Sequence, residues 1–455
     1  MTSVDRRNLR ELLDRERHTY REAHPGSYSA WLGSEHLFGR VPMTWMSKWA
    51  GGYPLTFTTA RGNRITDVDG HTYIDFALGD TGAMAGHSPA ATVRAVTERI
   101  GTQGGITTML PSQDAEWVGA ELTRRFGLPK WSFTLTATDA NRWAVRLARL
   151  VTGRPKILVF SYCYHGSVDE TFIVVDPEGK PASRPGNVGP AVDPTVTTRV
   201  AEWNDLAAVE AELASGDVAA ILTEPALTNI GIVLPEPGFL DGLRELATRY
   251  GALLMIDETH TISAGPGGMT ARDGLAPDIF VIGKSLGGGV PCGAYGITDE
   301  IAAAVTRLAE TGGADIVDVG GVGGTLAGNA LSLAAMRATL AEVLTDDAFA
   351  HMEALATRYA EAVGEAIASA GVPWSVSRLG ARAEYRFTSP APRSGGESAA
   401  AGDDELDEYM HLYTVNRGIL MTPFHNMALM CPETSQADVD RHTEVFTAAV
   451  AELAR

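Results

Sequence analysis

The sequence predicts an α/β protein whose middle portion is a doubly wound, mostly parallel sheet, with a smaller α+β domain assembled from both ends of the chain. Three observations carry that expectation. Apolar or β-branched runs recur at 156–161, 218–223, 252–257 and 278–283, as strands buried on both faces require. Amphipathic segments at 206–214 and 240–250 separate several of them, as crossover helices would. Polar residues stand just beyond three of the runs: Glu224, the pair Asp257-Glu258, and Lys284.

Each element follows from its local pattern. The first residues mix acids and bases without an apolar run, which reads as an exposed helix and not as a secretory signal. Residues 60–78 hold two short strands around an Asp69-Gly70 turn. A short strand near 131 leads into a helix expected over 142–150, with Trp143, Leu147 and Leu150 on one stripe. Beyond Leu331 come long Ala/Leu/Glu helical patterns, short strands near 382–387 and 418–421, and a closing helix over 437–454. Residues 389–404, rich in Pro, Ser, Gly and Ala, read as a surface loop. The expected domains are 1–85, a segment with a small β unit belonging to the small domain; 86–330, the large ligand-binding α/β domain; and 331–455, the C-terminal α+β portion.

Composition narrows the function. With 455 residues, 45% hydrophobic and 20% charged, the chain can bury a large core. Lys plus Arg number 37 against 56 Asp plus Glu, a net charge of −19, which repels polyanions and argues against nucleic acid or anionic membrane as broad partners. Cys163, Cys292 and Cys431 are scattered without a C-x-x-C pair, so neither a disulfide framework nor a thiolate metal site is expected, and a cytoplasmic location fits. No apolar stretch reaches the roughly 20 residues that span a bilayer. Glycine is in excess, with clusters at 283–296 and 312–328 where a backbone can approach a ligand.

In open α/β sheets, ligands bind beyond the C-terminal strand ends. Glu224, Asp257 and Lys284 are expected to line that edge. A partly desolvated lysine beside carboxylates suits an amine that adds to a carbonyl, that is, Schiff-base chemistry. Thr136, Ala137 and Thr138, at the start of a helix, can hold a phosphate through free N–H groups and the helix dipole; ordinary capping by Thr138 or Asp139 is the alternative. Gly283-Lys284-Ser285 lacks the earlier glycine of a phosphate-binding P-loop, since Asp278 stands there. The same stretch matches G-x-S-x-G, so a serine hydrolase using Ser285 stays as a distant alternative, although Gly288-Gly289-Val290-Pro291 does not begin the required helix.

These residues, with Gly86-His87, Tyr164-His165-Gly166, Glu224-Pro225, Pro277-Asp278 and Gly324-Thr325-Leu326-Ala327-Gly328-Asn329, resemble the class III, fold-type I pyridoxal-phosphate aminotransferases, in the branch of glutamate-1-semialdehyde aminomutases and β-amino-acid aminotransferases. The likeness runs from about Gly51 to the C-terminus. It implies pyridoxal 5'-phosphate as cofactor, Lys284 as the lysine that carries it as an aldimine, and Asp257 as partner of the pyridinium nitrogen. It implies further that Thr136, Ala137 and Thr138 form the phosphate loop, that Tyr164 stacks on the ring, and that Glu224 and Asn229 lie near the cofactor. Thr325 would reach the phosphate of a neighbouring subunit, hence a homodimer with shared active sites.

The chain also departs from the aminomutase pattern. Asn426 stands at about the position of a glutamate in that family, and 79–84 replaces an aromatic of its pocket. The expected activity is therefore transfer of an amino group between an amino acid, possibly a β-amino or specialised-pathway one, and a keto acid. An aminomutase, epimerase or decarboxylase on the same scaffold is the alternative. Arg40 is the arginine chosen for the substrate carboxylate, with Trp45 and Trp49 nearby in sequence; Asp80, His425 and Asn426 are further candidates for substrate contact, and His260 offers a polar contact without an assigned use.

Overall fold

In the computed structural model, which describes residues 4–189 and 192–454, the chain divides into two compact units. The smaller takes the chain up to Pro89, then Asp347–Ala391 and the stretch from Ala401 onward; the larger takes Ala90–Asp346 and Pro392–Ala400.

The smaller unit opens on the helix Arg6–Ala23, capped by Asp5, which accepts from the Arg7 N–H. Leu9, Leu13 and Tyr20 supply its buried stripe. Strands β1 (Phe57–Arg61), β2 (Arg64–Asp67) and β3 (Thr72–Asp75) form an antiparallel meander. Between β2 and β3, Gly70 turns at φ 90°, a left-handed backbone that a Cβ would strain. Buried Asp67 closes this hairpin by accepting from the N–H groups of Asp69 and His71 and from the Tyr73 hydroxyl. His24 is bonded to the same hydroxyl at 2.7 Å and to Tyr20 O at 2.7 Å, so His24, Asp67 and Tyr73 tie the end of the first helix to the hairpin.

The larger unit carries β4 (Lys130–Thr134), β5 (Lys156–Phe160), β6 (Ile173–Val175), β7 (Pro181–Ser183), β8 (Thr198–Ala201), β9 (Val218–Thr223), β10 (Leu253–Asp257), β11 (Ile279–Ile282) and β12 (Gly293–Ile297). Seven of them form one sheet in the order β4-β12-β11-β10-β9-β5-β8. From β11 to β8 every pairing is parallel, whereas β12 is antiparallel to both neighbours. The link 283–292 between β11 and β12 is too short for the crossover that a parallel pair needs. All of β9 and β11 is buried, which is why these strands read as apolar runs instead of alternating.

The helix after β4 spans Ala137–Thr152, starting earlier than its periodicity predicts because the Thr136 hydroxyl caps the Asp139 N–H at 3.2 Å. Its buried face is Ala140, Asn141, Ala144, Val145, Leu147 and Ala148, while Trp143 and Leu150 are only half-buried. Mostly small residues on that face let the helix lie close on the sheet. The segment 389–404 is not the surface loop expected. It holds a helix, Gly395–Ala400, whose Ser398 hydroxyl donates to Ile230 O, and a Cβ on Gly395 would come 2.2 Å from Ser161 O.

The C-terminal part of the smaller unit contributes β13 (Ser375–Leu379), β14 (Arg382–Arg386), β15 (Ile419–Leu420) and β16 (Met427–Leu429). The order β13-β14-β16 is antiparallel, and β15 joins β3 in parallel. The closing helix Gln436–Leu453 begins with a reciprocal cap between Ser435 and Asp438. Among the described residues no helix is long and apolar enough to cross a membrane.

Candidate active site

Three adjacent parallel strands deliver the site. Because β9, β10 and β11 run side by side in the same direction, the residues just past their C-terminal ends fall along one edge of the sheet. Glu224 follows β9, Asp257 ends β10, and Gly283-Lys284 follows β11. This is the edge the strand-end polar residues predict.

Asp257 is the hub. It is buried, and Oδ2 accepts from Asn141 Nδ2 at 2.8 Å and lies 2.9 Å from His165 Nδ1. Oδ1 accepts from the Thr259 N–H at 3.0 Å and the Thr259 hydroxyl at 2.6 Å. Burial alone would drive the carboxyl towards its neutral form; His165 outweighs that, with help from Thr259 and Asn141, and holds it below its ordinary range. His165 shifts the opposite way: burial disfavours its cation, but Cys163 and Asp257 raise it well above the usual imidazole value. The result is a fixed negative charge at the floor of the sheet edge.

Lys284 occupies the left-handed region at φ 53°, an uncommon conformation for a side-chain-bearing residue and one that clusters at functional sites. Its Nζ lies 2.8 Å from Nε2 of the buried His260. The sheet register accounts for the meeting. Asp257 pairs with Val281, and His260 and Lys284 are each three residues further along.

The start of the helix Ala137–Thr152 is built for close approach. A Cβ on Gly283 would come 3.0 Å from the Ala137 nitrogen, one on Gly293 would come 2.9 Å from Thr136 O, and one on Gly166 would come 2.0 Å from the Thr138 hydroxyl. Three glycines thus press other chain segments onto the Thr136-Ala137-Thr138 turn. The first N–H groups of any helix lack intrahelical partners, so this cradle presents donors at the positive end of a dipole.

A sequence model of the Aminotransferase class-III family matches residues 45–450. The chain belongs to the class-III aminotransferases. Glutamate-1-semialdehyde 2,1-aminomutase 2 of Brevibacillus brevis is 32% identical over 410 residues, covering 87% of this chain and 91% of that relative. Among solved structures, a glutamate-1-semialdehyde aminomutase from Pseudomonas aeruginosa PAO1 superposes with a TM-score of 0.96 at 47% identity over 99% of this chain and all of that one. Its lysine-to-alanine variant, in complex with PMP, is similar to the same degree, with 46% identity. A β-phenylalanine aminotransferase from Variovorax paradoxus has a TM-score of 0.84 at 27% identity, covering 97% of each chain.

Class-III aminotransferases are fold-type I enzymes that use pyridoxal phosphate, and the residues here fit that group. A buried anionic Asp257 suits a protonated ring nitrogen. Beside it, Asn141 Oδ1 and His165 Nε2 are buried without a hydrogen-bond partner among the described residues, leaving polar valence for a bound molecule. Phosphate suits the glycine-crowded helix start.

The remaining candidates of this class-III aminotransferase fall as follows. Tyr164 is partly exposed with its ring edge-on to Phe172 at 6.5 Å. Glu224 is buried and accepts from the Thr228 hydroxyl, and Asn229 is half-buried. Thr325 stands exposed in the glycine-rich stretch before the helix Ala330–Ala338. Ser285 is wholly buried and its hydroxyl has no hydrogen-bond partner, so among the described residues no base activates it. The turn Lys284–Gly287 stops at Gly288, and the hydrolase alternative loses its nucleophile.

Arg40, Asp80, His425 and Asn426 all belong to the smaller unit. Arg40 is exposed, donates to Leu32 O and lies over the Trp31 ring at 5.4 Å. Asp80 and Thr81 form a strained turn at φ 49° and 82°, with the buried Arg382 donating to the Thr81 hydroxyl at 2.5 Å. His425 Nδ1 lies 3.4 Å from Glu384, and Asn426 donates to Asp407 at 2.7 Å. Asn141, His165 and Thr259 complete the Asp257 cluster without having been assigned roles from sequence. Asn141 is one helical turn beyond Thr138, which places both near one end of the helix and is the one signal that could have pointed to it.

Proposed function

We propose that the chain is an aminotransferase that carries its cofactor on Lys284 and moves an amino group between a small amino acid, β-amino acids included, and a keto acid. The observation that carries the reading is the buried, fourfold hydrogen-bonded Asp257 carboxylate on the strand next to the one that delivers Lys284. When bound, pyridoxal phosphate supplies an electron sink for charge developing at the carbon that bears the amino group.

The protein's own part is positioning and proton handling. Asp257, kept anionic by His165, Thr259 and Asn141, would hold a proton on the ring nitrogen. The turn Thr136-Ala137-Thr138 would hold the phosphate, and Tyr164, Glu224 and Asn229 would hold the ring. Lys284 Nζ takes and returns the proton at the substrate carbon. Arg40 offers a guanidinium to the substrate carboxylate, with Asp80, His425 and Asn426 as further polar contacts.

A homodimer with Thr325 serving the neighbouring subunit belongs to the same reading. Exposed apolar side chains at Val317, Val319 and Leu326, on the segment of the larger unit that flanks Thr325 in sequence, and at Met109 and Leu110 of the same unit support a covered surface there. Three buried free cysteines agree with a reducing cytoplasm.

An aminomutase outcome is the second reading, favoured by the names of the relatives at 46–47% identity. A panel of α- and β-amino donors, followed by conversion of the cofactor spectrum to the pyridoxamine form and by keto-acid product, tests transamination. Conversion by at least one donor with stoichiometric keto acid is expected. If no donor converts the cofactor while glutamate-1-semialdehyde is isomerised without any acceptor, the chain is an aminomutase.

A further inference from the structure

We propose that His260 is a positioning residue for Lys284 and the first acceptor of its proton; the inference rests on Lys284 being the cofactor-bearing lysine. Nε2 and Nζ are 2.8 Å apart, the distance of a hydrogen bond in which a charged group takes part. The contact is set by the sheet and not by a mobile loop. The Asp257 to Val281 register places both residues three positions beyond a fixed pair, and His260 is buried on its turn. The neighbouring acid does not compete for that role, since the Glu258 carboxylate is engaged by the Thr261 hydroxyl and the Thr270 N–H. The left-handed backbone at Lys284 aims the side chain that Nε2 receives.

The chemistry balances. With its own proton on Nδ1, the imidazole accepts at Nε2. An Nζ–H bond of the ammonium breaks, an Nε2–H bond forms, and a lone pair is freed on Nζ to bond a carbonyl carbon. As Nζ bonds that carbon the C=O π bond breaks, and the oxygen takes a second proton from Nζ to become a hydroxyl. The imidazolium then returns the first proton to this hydroxyl, and the C–O bond breaks as water leaves. An ammonium and an aldehyde go in; a protonated imine and water come out, and His260 ends neutral as it began. A lysine without this acceptor must give its proton to solvent.

The test follows covalent attachment of pyridoxal 5'-phosphate to the apoprotein by stopped-flow absorbance, with borohydride trapping at each time point. Pyridoxine 5'-phosphate, which has no aldehyde, measures the pocket alone. For His260→Ala the expected result is attachment slowed at least ~10-fold, with the Kd for pyridoxine phosphate unchanged. His260→Gln, which can bond Nζ but cannot carry the proton, is expected to be slowed as well, and it serves alone if the alanine variant does not fold. An unchanged rate overturns the inference. So does a parallel loss of rate and pyridoxine phosphate affinity, which would mark His260 as packing. If Lys284→Ala is labelled as fast as the unaltered protein, the assignment of Lys284 itself has failed, and this inference with it.

Discussion

Both units bury carboxylates, and Asp257 of the larger unit and Glu384 of the smaller one are held in very different ways. Asp257 receives four hydrogen bonds, one of them from the His165 ring, and is held below its ordinary range despite complete burial. In the smaller unit, Glu384 is buried; among the described residues neither of its oxygens has a hydrogen-bond partner, and the His425 Nδ1 lies 3.4 Å away. Burial pushes its neighbour Asp407 up to about 6, against the pull of Asn426 and Arg386. A charge with a complete donor set is a fixed component of the site, whereas one with a partial set depends on pH and on what binds. The contrast teaches that donor count, more than depth, decides which buried acid can serve as a permanent counter-charge.

Substitutions in both units test this contrast. The largest effect is expected at Lys284. Lys284→Ala should lower the half-reaction with an amino donor by on the order of 10⁴-fold, measured by single-turnover absorbance, with far-UV dichroism unchanged. Asp257→Ala comes next. It removes the counter-charge and strands a buried His165, so about 3 kcal/mol of apoprotein stability should be lost in denaturant unfolding, along with most of the activity. If Glu384→Ala cost as much, donor count would not be the distinction.

The smaller unit should report its own burial through pH. His442 is pushed down to about 3 by burial, and His411 to about 4 for the same reason. Each stays neutral when folded but takes a proton when unfolded below its ordinary value of about 6.5. Stability is thus full above that value and falls as pH drops; about 2 kcal/mol per residue should be gone by pH 5. His442→Phe, which keeps a ring beside Tyr359 and Phe446, should flatten this acid limb in thermal melts. Asp407 has the opposite sign. Its raised folded value means that its stabilising contribution is present at low pH and lost as pH rises through about 6. Asp407→Asn should therefore gain about 1–2 kcal/mol at pH 8 and little at pH 4.

What the sequence made legible follows the same division. Strands β9, β10 and β11 were readable because each is apolar on both faces, and the first polar residue after each then marks the sheet edge. Asp257 and Lys284 follow from that rule without a partner being known. Their partners do not. His165 meets Asp257 across 92 positions, and His260 meets Lys284 only through a strand register that no local period encodes. The helix Gly395–Ala400 was hidden because its small residues look like loop until Ser161 and Ile230 are known to lie against it. Arg382 carries no sequence mark of its bond to Thr81, since an arginine in a strand pattern reads equally well as surface.

The proposed function requires that the edge formed by Asp257 and Lys284 be where the cofactor is held. The lysines of the chain are Lys48, Lys130, Lys156, Lys180 and Lys284. Borohydride reduction of the protein loaded with pyridoxal phosphate, followed by peptide mass mapping, separates them in one measurement. Stoichiometric phosphopyridoxyl label on Lys284, with none on the others, is the expected result. A label on any other lysine, or none on a protein that binds the cofactor, would contradict it.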